Sequence, residues 1–573
     1  MRARGALRTV CLVAAIGLVA YGIIQPVEGE VRWLIALWAA APLLGLVAWL
    51  SVPSPSQGLP RSVYHLGLVV LVGFCLLSLQ LLRQQVVQAE AIYYHVAQGA
   101  DGSTTSNVRP VLDSQRVLRG RIIDRKGQIL VDSEPVNDFA RRTYPLAARY
   151  DPRAFGGVIG YFSTRYGQSA LEASFDLYLT GQRGNEIERL RERLVGGATR
   201  GNDLNLTLNA DLQAAAAGLL GNRTGSVVVL DPRTGAILAL AGTPGFDPQG
   251  LSFNPGAPDW STENRRISAY WEDLNRDAAG RPLLHRPTQG VYPPGSTYKA
   301  VTAIGVLEHA NQGRPDEITC PENYTPQPGA PPVVNAVSNL QSLTGEPSSL
   351  ERVFAFSCNT AFAQYSTRLG PDLTTEIARR FDILPPQRTL VAYDGFRELP
   401  TAQSRLYADP GFLNYPRALA DTGYGQGQLQ VTPLQMAMIT AAIANDGVMM
   451  RPYLVQQITR PDGGIIQAHT PQPIRRTMTA ATARAMRSHM AAVAEYGFGR
   501  SVDDFTPPGI AVGGKSGTAE HVPGAPPHAW FIAIAPLDAP RFAVAVMVEG
   551  GGEGSSVGAE LAGRVLAAAF ATE

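Results

Sequence analysis

Hydrophobic and polar positions follow two regimes along this chain. In the first 82 residues the apolar side chains run on without a period. Thr9 to Val27 and Trp33 to Leu50 carry no charge, and Ser62 to Leu82 carries only His65. Uncharged runs of this kind predict bilayer-spanning helices, which need roughly 20 apolar residues each. A signal peptide would account for the first run alone, since Arg2, Arg4 and Arg8 precede it. No small-residue cleavage site follows, however, and two more runs do. The same arginines place the N-terminus in the cytoplasm. Glu28 and Glu30 then fall outside, and the Pro/Ser/Gly-rich loop Ser51 to Arg61 returns inside. Three crossings put everything after Arg83 outside.

Beyond Arg83 the pattern breaks into short periodic segments. Gln84 to Tyr94 predicts a helix leaving the membrane, and Gly99 to Asn107 a polar break. Apolar alternation on either side of Lys126-Gly127, within Arg119 to Val131, predicts strand, turn and strand. Residues 139–200 mix short helical stretches, such as Ile187 to Leu194, with glycine-rich turns. Leu204 to Leu208 reads as a strand and Asp211 to Leu220 as a helix. Ser226 to Leu230 and Ala236 to Ala241 form a hairpin around Asp231-Pro-Arg-Thr-Gly235. Later, Pro433 to Asn445 and Val557 to Ala569 read as helices, and Phe531 to Ala535 and Phe542 to Val548 as strands. That order fits a sheet with helices packed against it. The expected division is a membrane region at 1–85, a non-catalytic pedestal at 86–221 and a catalytic domain at 222–573.

Composition narrows the function. Charged residues are 17% and the formal net charge is +1, so no basic surface for nucleic acid is expected. The four cysteines form no C-x-x-C, no H-E-x-x-H occurs, and the eight histidines show no metal spacing. No cofactor or metal is expected. Cys320 and Cys358 are able to bridge if both are exported, which the sequence leaves open. Asn222-Arg-Thr matches a glycosylation acceptor by chance in this reading.

The chemistry centres on Val291-Tyr-Pro-Pro-Gly-Ser-Thr-Tyr-Lys299. Prolines and a glycine suit the approach to a helix, and Ala300 to Ala310 is apolar and helix-compatible. Ser296 therefore falls in a first turn, with Lys299 one turn on along the same face. A hydroxyl beside an amine is a nucleophile–base pair, and unpaired N–H groups at a helix start favour charge on an attacked carbonyl oxygen. Two further signals are Ser357-Cys-Asn359, after the helix-like run Val353 to Phe356, and Lys515-Ser-Gly-Thr518 at the start of a strand. Each alone is usually a cap or a turn; the three in this order are far more specific. Gly554-Ser-Ser-Val-Gly558 matches a hydrolase elbow, but no histidine follows Ser556, so that reading is rejected. His521 and His528 flank a loop after the third signal, and Cys358 reads as a packed thiol.

The three signals resemble the signatures of the penicillin-binding transpeptidases, specifically the monofunctional class B type of the bacterial cell wall. Arg119 to Gly127, Tyr166-Gly167 with Leu171-Glu172, Asp231 to Ala239, and Gly425-Gln-Gly427 with Thr432 to Gln435 extend the likeness. The resemblance implies transmembrane helices, a mixed α+β pedestal, and a transpeptidase domain with an antiparallel sheet packed between helices. It implies a membrane enzyme, acting outside the cell, that cross-links D-Ala-D-Ala stem peptides of nascent glycan strands. β-Lactams acylate such an enzyme, and its usual partner is a polytopic glycan polymerase. In that scheme Ser296 attacks, neutral Lys299 takes its proton, Ser357 relays it and Asn359 orients both lysine and substrate. Lys515, Ser516, Gly517 and Thr518 bind the substrate's terminal carboxylate, and the N–H groups of Ser296 and Thr518 form the oxyanion hole. Gln426 receives no chemical role. The rival readings are a D,D-carboxypeptidase, a β-lactamase, a non-catalytic scaffold of the cell-wall machinery and a β-lactam sensor. One departure is the anchor, single in the family and threefold here.

Overall fold

Near-continuous apolar strands need cover on both faces, and the centre of this chain is built from three of them, each buried at every residue. The computed structural model describes residues 2–25, 29–51, 59–88, 96–98, 104–106, 115–183, 200–277, 280–384 and 396–573. Strands β1 (Gly225–Leu230), β2 (Ile237–Thr243), β3 (Gly513–Ala519), β4 (His528–Ala535) and β5 (Phe542–Val548) form an antiparallel sheet in the order β2-β1-β5-β4-β3. All residues of β1, β4 and β5 are buried.

Alternation along the strands divides these residues between two cores. Val227, Val229, Phe531, Ala533, Val544 and Val546 pack with helices α1 (Ala210–Leu220) and α6 (Ala559–Ala571). Val228, Ile532, Ile534 and Ala545 face α2 (Lys299–Glu308), α3 (Asn359–Arg380), α4 (Pro433–Ala444) and α5 (Ala480–Glu495). Each Val or Ile so buried contributes about 1.5–3 kcal/mol relative to exposure. Helix α4 is buried on all sides, as a helix apolar all round must be. Its start is set by Thr432, whose hydroxyl accepts from the Gln435 N–H at 3.1 Å, with Pro433 in the first turn.

A second sheet of six strands runs Ile465–Ala468, Val455–Thr459, Asp203–Leu206, Ile122–Ile123, Ile129–Val136, Phe139–Thr143. Two of its strands come from sequence well beyond residue 221. The turn at Lys126-Gly127 is where the alternation places it, with Gly127 at φ +82°. Beside this sheet Glu172 accepts from Arg119 Nε at 2.8 Å and Arg142 Nε at 2.7 Å, all three buried. Burial alone would raise the Glu172 carboxyl; the two guanidiniums bring it below its ordinary value.

Residues Met1–Ser114 form one compact unit and Gln115–Glu573 another. In the first, the helices Arg2–Ile23, Glu30–Ser51 and Leu59–Val86 are each long and apolar enough to cross a membrane. Trp33 Nε1 donates to Gln80 Oε1 at 2.6 Å, and Arg83 to the Gly22 carbonyl at 2.9 Å.

Several expectations shift. The helix expected at Gln84 to Tyr94 is the end of the third apolar helix, which stops at Val86; residues 89–95 lie outside the described residues. Within the expected break at Gly99 to Asn107, Thr104–Ser106 pairs antiparallel with Val96–Gln98, since the ladder is made by backbone N–H and C=O groups. The stretch Ile187 to Leu194 lies outside the described residues.

Candidate active site

Ser296 sits in a short 3₁₀ turn, Gly295–Tyr298, that leads directly into α2. Three backbone ties and one side-chain bond hold this turn. Tyr292 and Val431 exchange N–H···O bonds of 3.0 and 2.9 Å, and Gly295 N–H donates to the Gly425 carbonyl at 3.0 Å. Trp530 Nε1 donates to the Pro293 carbonyl at 3.0 Å, which fastens the turn to β4. Ser296 is partly exposed, and its neighbours Thr297 and Lys299 are fully buried.

Strand β3 is the free edge of the central sheet and carries Lys515, Ser516, Gly517 and Thr518 at its middle. It lies hard against the Ser296 turn. A Cβ on Gly517 would meet the Pro294 oxygen at 2.9 Å and the Thr297 nitrogen at 3.1 Å, a spacing that a larger side chain would force open. Lys515 and Ser516 are buried, while Thr518 is exposed and its hydroxyl accepts from the Gly554 N–H at 3.3 Å.

The second motif is in the turn between Leu350–Ala355 and α3. Ser357 has φ +56°, a left-handed backbone that costs a non-glycine residue roughly 1–3 kcal/mol. Its neighbours hold it there. Its carbonyl accepts from Lys299 Nζ at 2.6 Å, and the next residue, Cys358, forms a disulfide with Cys320. Cys358 is thus bridged, not the packed thiol the sequence reading expected. Asn359 opens α3, and its Nδ2 donates to the Val334 carbonyl at 3.1 Å.

Three distances define the chemistry. Lys299 Nζ lies 2.7 Å from Asn359 Oδ1 and 3.1 Å from Ser357 Oγ; Lys515 Nζ lies 3.0 Å from the same Ser357 Oγ. Burial first, and then the Lys515 charge, bring the Lys299 amine well below its usual value. Burial brings Lys515 down to about 7. Lys299 Nζ faces three acceptors, the Ser357 carbonyl, Asn359 Oδ1 and Ser357 Oγ, and Lys515 Nζ donates to the same Ser357 Oγ. Burial and the Lys515 charge, not the hydrogen-bond pattern, favour the neutral amine, which would keep two N–H groups for the first two and take the Ser357 O–H on its lone pair. Lys299 bonds to the second motif and not to Ser296, whose Oγ makes no hydrogen bond among the described residues.

So Lys299, Ser357, Asn359 and Lys515 converge by direct contact, with Ser296 and Thr518 brought alongside by the packing of β3 on the nucleophile turn. The sequence missed the Val334 carbonyl and the part played by Gln426, and left open the Cys320–Cys358 bridge that the structure forms. Among the described residues no cluster of His, Cys, Asp or Glu could hold a metal ion.

A serine in a buried-amine pocket, beside an edge strand able to pair with an extended peptide, defines a serine acyltransferase of the Ser/Lys type. The sequence profile of the penicillin binding protein transpeptidase domain matches residues 225–567, and that of the penicillin binding protein A dimerisation domain matches residues 119–204. The chain is 33% identical over 489 residues to the peptidoglycan D,D-transpeptidase PbpA of Mycolicibacterium smegmatis, covering 82% of this chain and 93% of that one. It is 31% identical over 535 residues to PbpA of Mycobacterium tuberculosis, covering 89% and 99%. The solved structure of penicillin-binding protein A from M. tuberculosis, as a ceftriaxone acyl-enzyme complex, superposes with a TM-score of 0.69 at 32% identity, over 80% of this chain and 100% of that one. The chain belongs to the penicillin-binding protein transpeptidase family.

Proposed function

We propose that this protein is a membrane-anchored peptidoglycan D,D-transpeptidase that works through a Ser296 acyl-enzyme and is acylated by β-lactams. The observation that carries the reading is the Ser357 hydroxyl shared between two buried lysines, 3.1 Å from Lys299, which follows Ser296 by three residues, and 3.0 Å from Lys515.

Ser296 Oγ attacks the penultimate D-Ala carbonyl of a stem peptide, forming a C–O bond. Its proton passes to neutral Lys299, once the Ser357 hydroxyl has turned away from the amine. Hydrogen bonds of this kind commonly tighten only when substrate is bound. The backbone N–H groups of Ser296 and Thr518 stabilise the oxyanion. The C–N bond to the terminal D-Ala breaks, and Ser357 relays the proton from Lys299 to that leaving amine. An amine of a second stem then attacks the ester, forms the cross-link and frees Ser296. Lys515 supplies the charge that keeps Lys299 neutral and, with Ser516, Gly517 and Thr518, holds the terminal carboxylate. Asn359 aligns Lys299.

The division of labour we propose is anchoring by residues 1–85, support by 86–221 and catalysis by 222–573, with the catalytic domain outside the cytoplasmic membrane. The N-terminal arginines and three apolar helices support that side. A polytopic glycan polymerase is the proposed membrane partner.

The test is acylation by a fluorescent penicillin. The full chain in detergent is expected to be labelled and to gain the mass of one adduct, and Ser296→Ala to gain none. A wild-type chain that stays unlabelled would sink the reading. Supplying a D-amino acid acceptor with a stem-peptide donor separates amide formation from hydrolysis by a carboxypeptidase.

A further inference from the structure

Residues 421–427 lie outside the three motifs, yet this one turn is tied to the elements that carry them. The Gly425 carbonyl accepts from Gly295, the residue before Ser296, and a Cβ on Gly425 would lie 1.9 Å from the Gly295 oxygen. With φ at +87° and that approach, only glycine fits. Gln426 N–H is held by the Asp421 carbonyl at 3.0 Å. The Asp421 carboxylate accepts from Arg417 Nε at 2.9 Å and from the Tyr424 hydroxyl, and Arg417 donates in turn to the Pro331 carbonyl. Pro331 belongs to the same loop as Val334, whose carbonyl accepts from Asn359.

The link to the third motif is the Gln426 side chain. In the carboxamide orientation that satisfies both sides, its oxygen accepts from the Glu520 N–H at 3.2 Å and its nitrogen donates to the Glu520 carbonyl at 3.3 Å. Glu520 directly follows β3, the edge strand of Lys515 and Thr518. An edge strand presents unpaired backbone groups that fray into water or recruit another strand. A primary carboxamide has one donor side and one acceptor side, as a peptide unit has, so Gln426 caps this edge at its end. It does so from a turn whose preceding residue, Gly425, is bonded to the Ser296 turn.

We propose that Gln426 is a positioning residue for acyl transfer. By gripping both backbone groups of Glu520 it fixes the end of β3 against the Ser296 turn. The Ser296 and Thr518 N–H groups are thereby held in one register. The inference rests on the acyl-transfer reading above. A displacement of about 1 Å at such a site costs about a hundredfold in rate, so loss of the grip acts on acylation before it acts on folding.

The test uses the full chain and the rate of Ser296 acylation by fluorescent penicillin, each variant divided by wild type at the same pH. Gln426→Ala is expected to acylate about ten- to a hundredfold more slowly, with a melting temperature within about 2 °C of wild type and a ratio that does not change with pH. Gln426→Glu discriminates further. Its carboxylate cannot donate to the Glu520 carbonyl, whereas its protonated form both donates and accepts. The Gln426→Glu ratio is therefore expected to climb toward one as pH falls from about 6 to about 4, through the ordinary glutamate carboxyl value of about 4.3. A purely structural role would shift the melting temperature and leave that ratio flat. Variants that acylate like wild type, or a Gln426→Glu ratio indifferent to pH, overturn the proposal. If Gln426→Ala fails to fold, the pH course of Gln426→Glu decides alone. Failure of wild type to label counts against the enzyme reading, not against this residue.

Discussion

Asn359→Asp tests the protonation state of Lys299 with almost no change of shape. The new carboxylate oxygen would stand where Asn359 Oδ1 now lies, 2.7 Å from Lys299 Nζ. At an effective dielectric of about 20, two unit charges at that separation attract by about 6 kcal/mol. Asn359 is partly exposed, so solvent screening reduces this to about 3 kcal/mol, or about two pKa units. The direction is fixed by the sign of charge. A carboxylate favours the ammonium, opposing the burial and the Lys515 charge that hold Lys299 low. The rising limb of the acylation profile should move about two units toward alkali. Below the wild-type limb the variant should label with fluorescent penicillin about a hundredfold more slowly than wild type. Above its own shifted limb the ratio of the two should approach one. Taking the ratio removes the common effect of Lys515, which loses its own proton near 7. A ratio near one at every pH, or a loss that does not recover as pH rises, would refute the neutral-amine argument.

Two other outcomes follow from the fold. The Cys320–Cys358 disulfide closes a separation of 38 residues, worth about 3–4 kcal/mol by chain entropy. Replacing both cysteines by serine should lower the melting temperature and slow Ser296 acylation, because Cys358 flanks the left-handed Ser357; a reductant should reproduce the shift in wild type only. Glu172→Gln leaves Arg119 and Arg142 buried without their shared counter-charge and should cost about 3–5 kcal/mol in a denaturant melt.

The apolar runs at Phe542 to Val548 and 433–444 were legible from their length, composition and flanking turns, and the turn at Lys126-Gly127 from the alternation around it. So were the three apolar helices, where the solvent imposes length and composition. The three motifs named Ser296, Lys299, Ser357, Asn359 and Lys515 as residues, and their order pointed to the chemistry. What they did not carry was the arrangement. Arg119 and Glu172 read as two separate motifs, and Arg142 as nothing at all, until the second sheet brought them together.

Local sequence determined which segments could span a membrane, form strands or start helices, since those depend on neighbours within a few residues. Tertiary structure alone decided that Lys299 turns to Ser357 and Asn359, that Cys358 finds Cys320, and that Gln426 reaches Glu520. Each of these joins residues far apart in the chain. Contacts of that kind follow from how the sheet and helices pack together, and no periodicity along the chain records them.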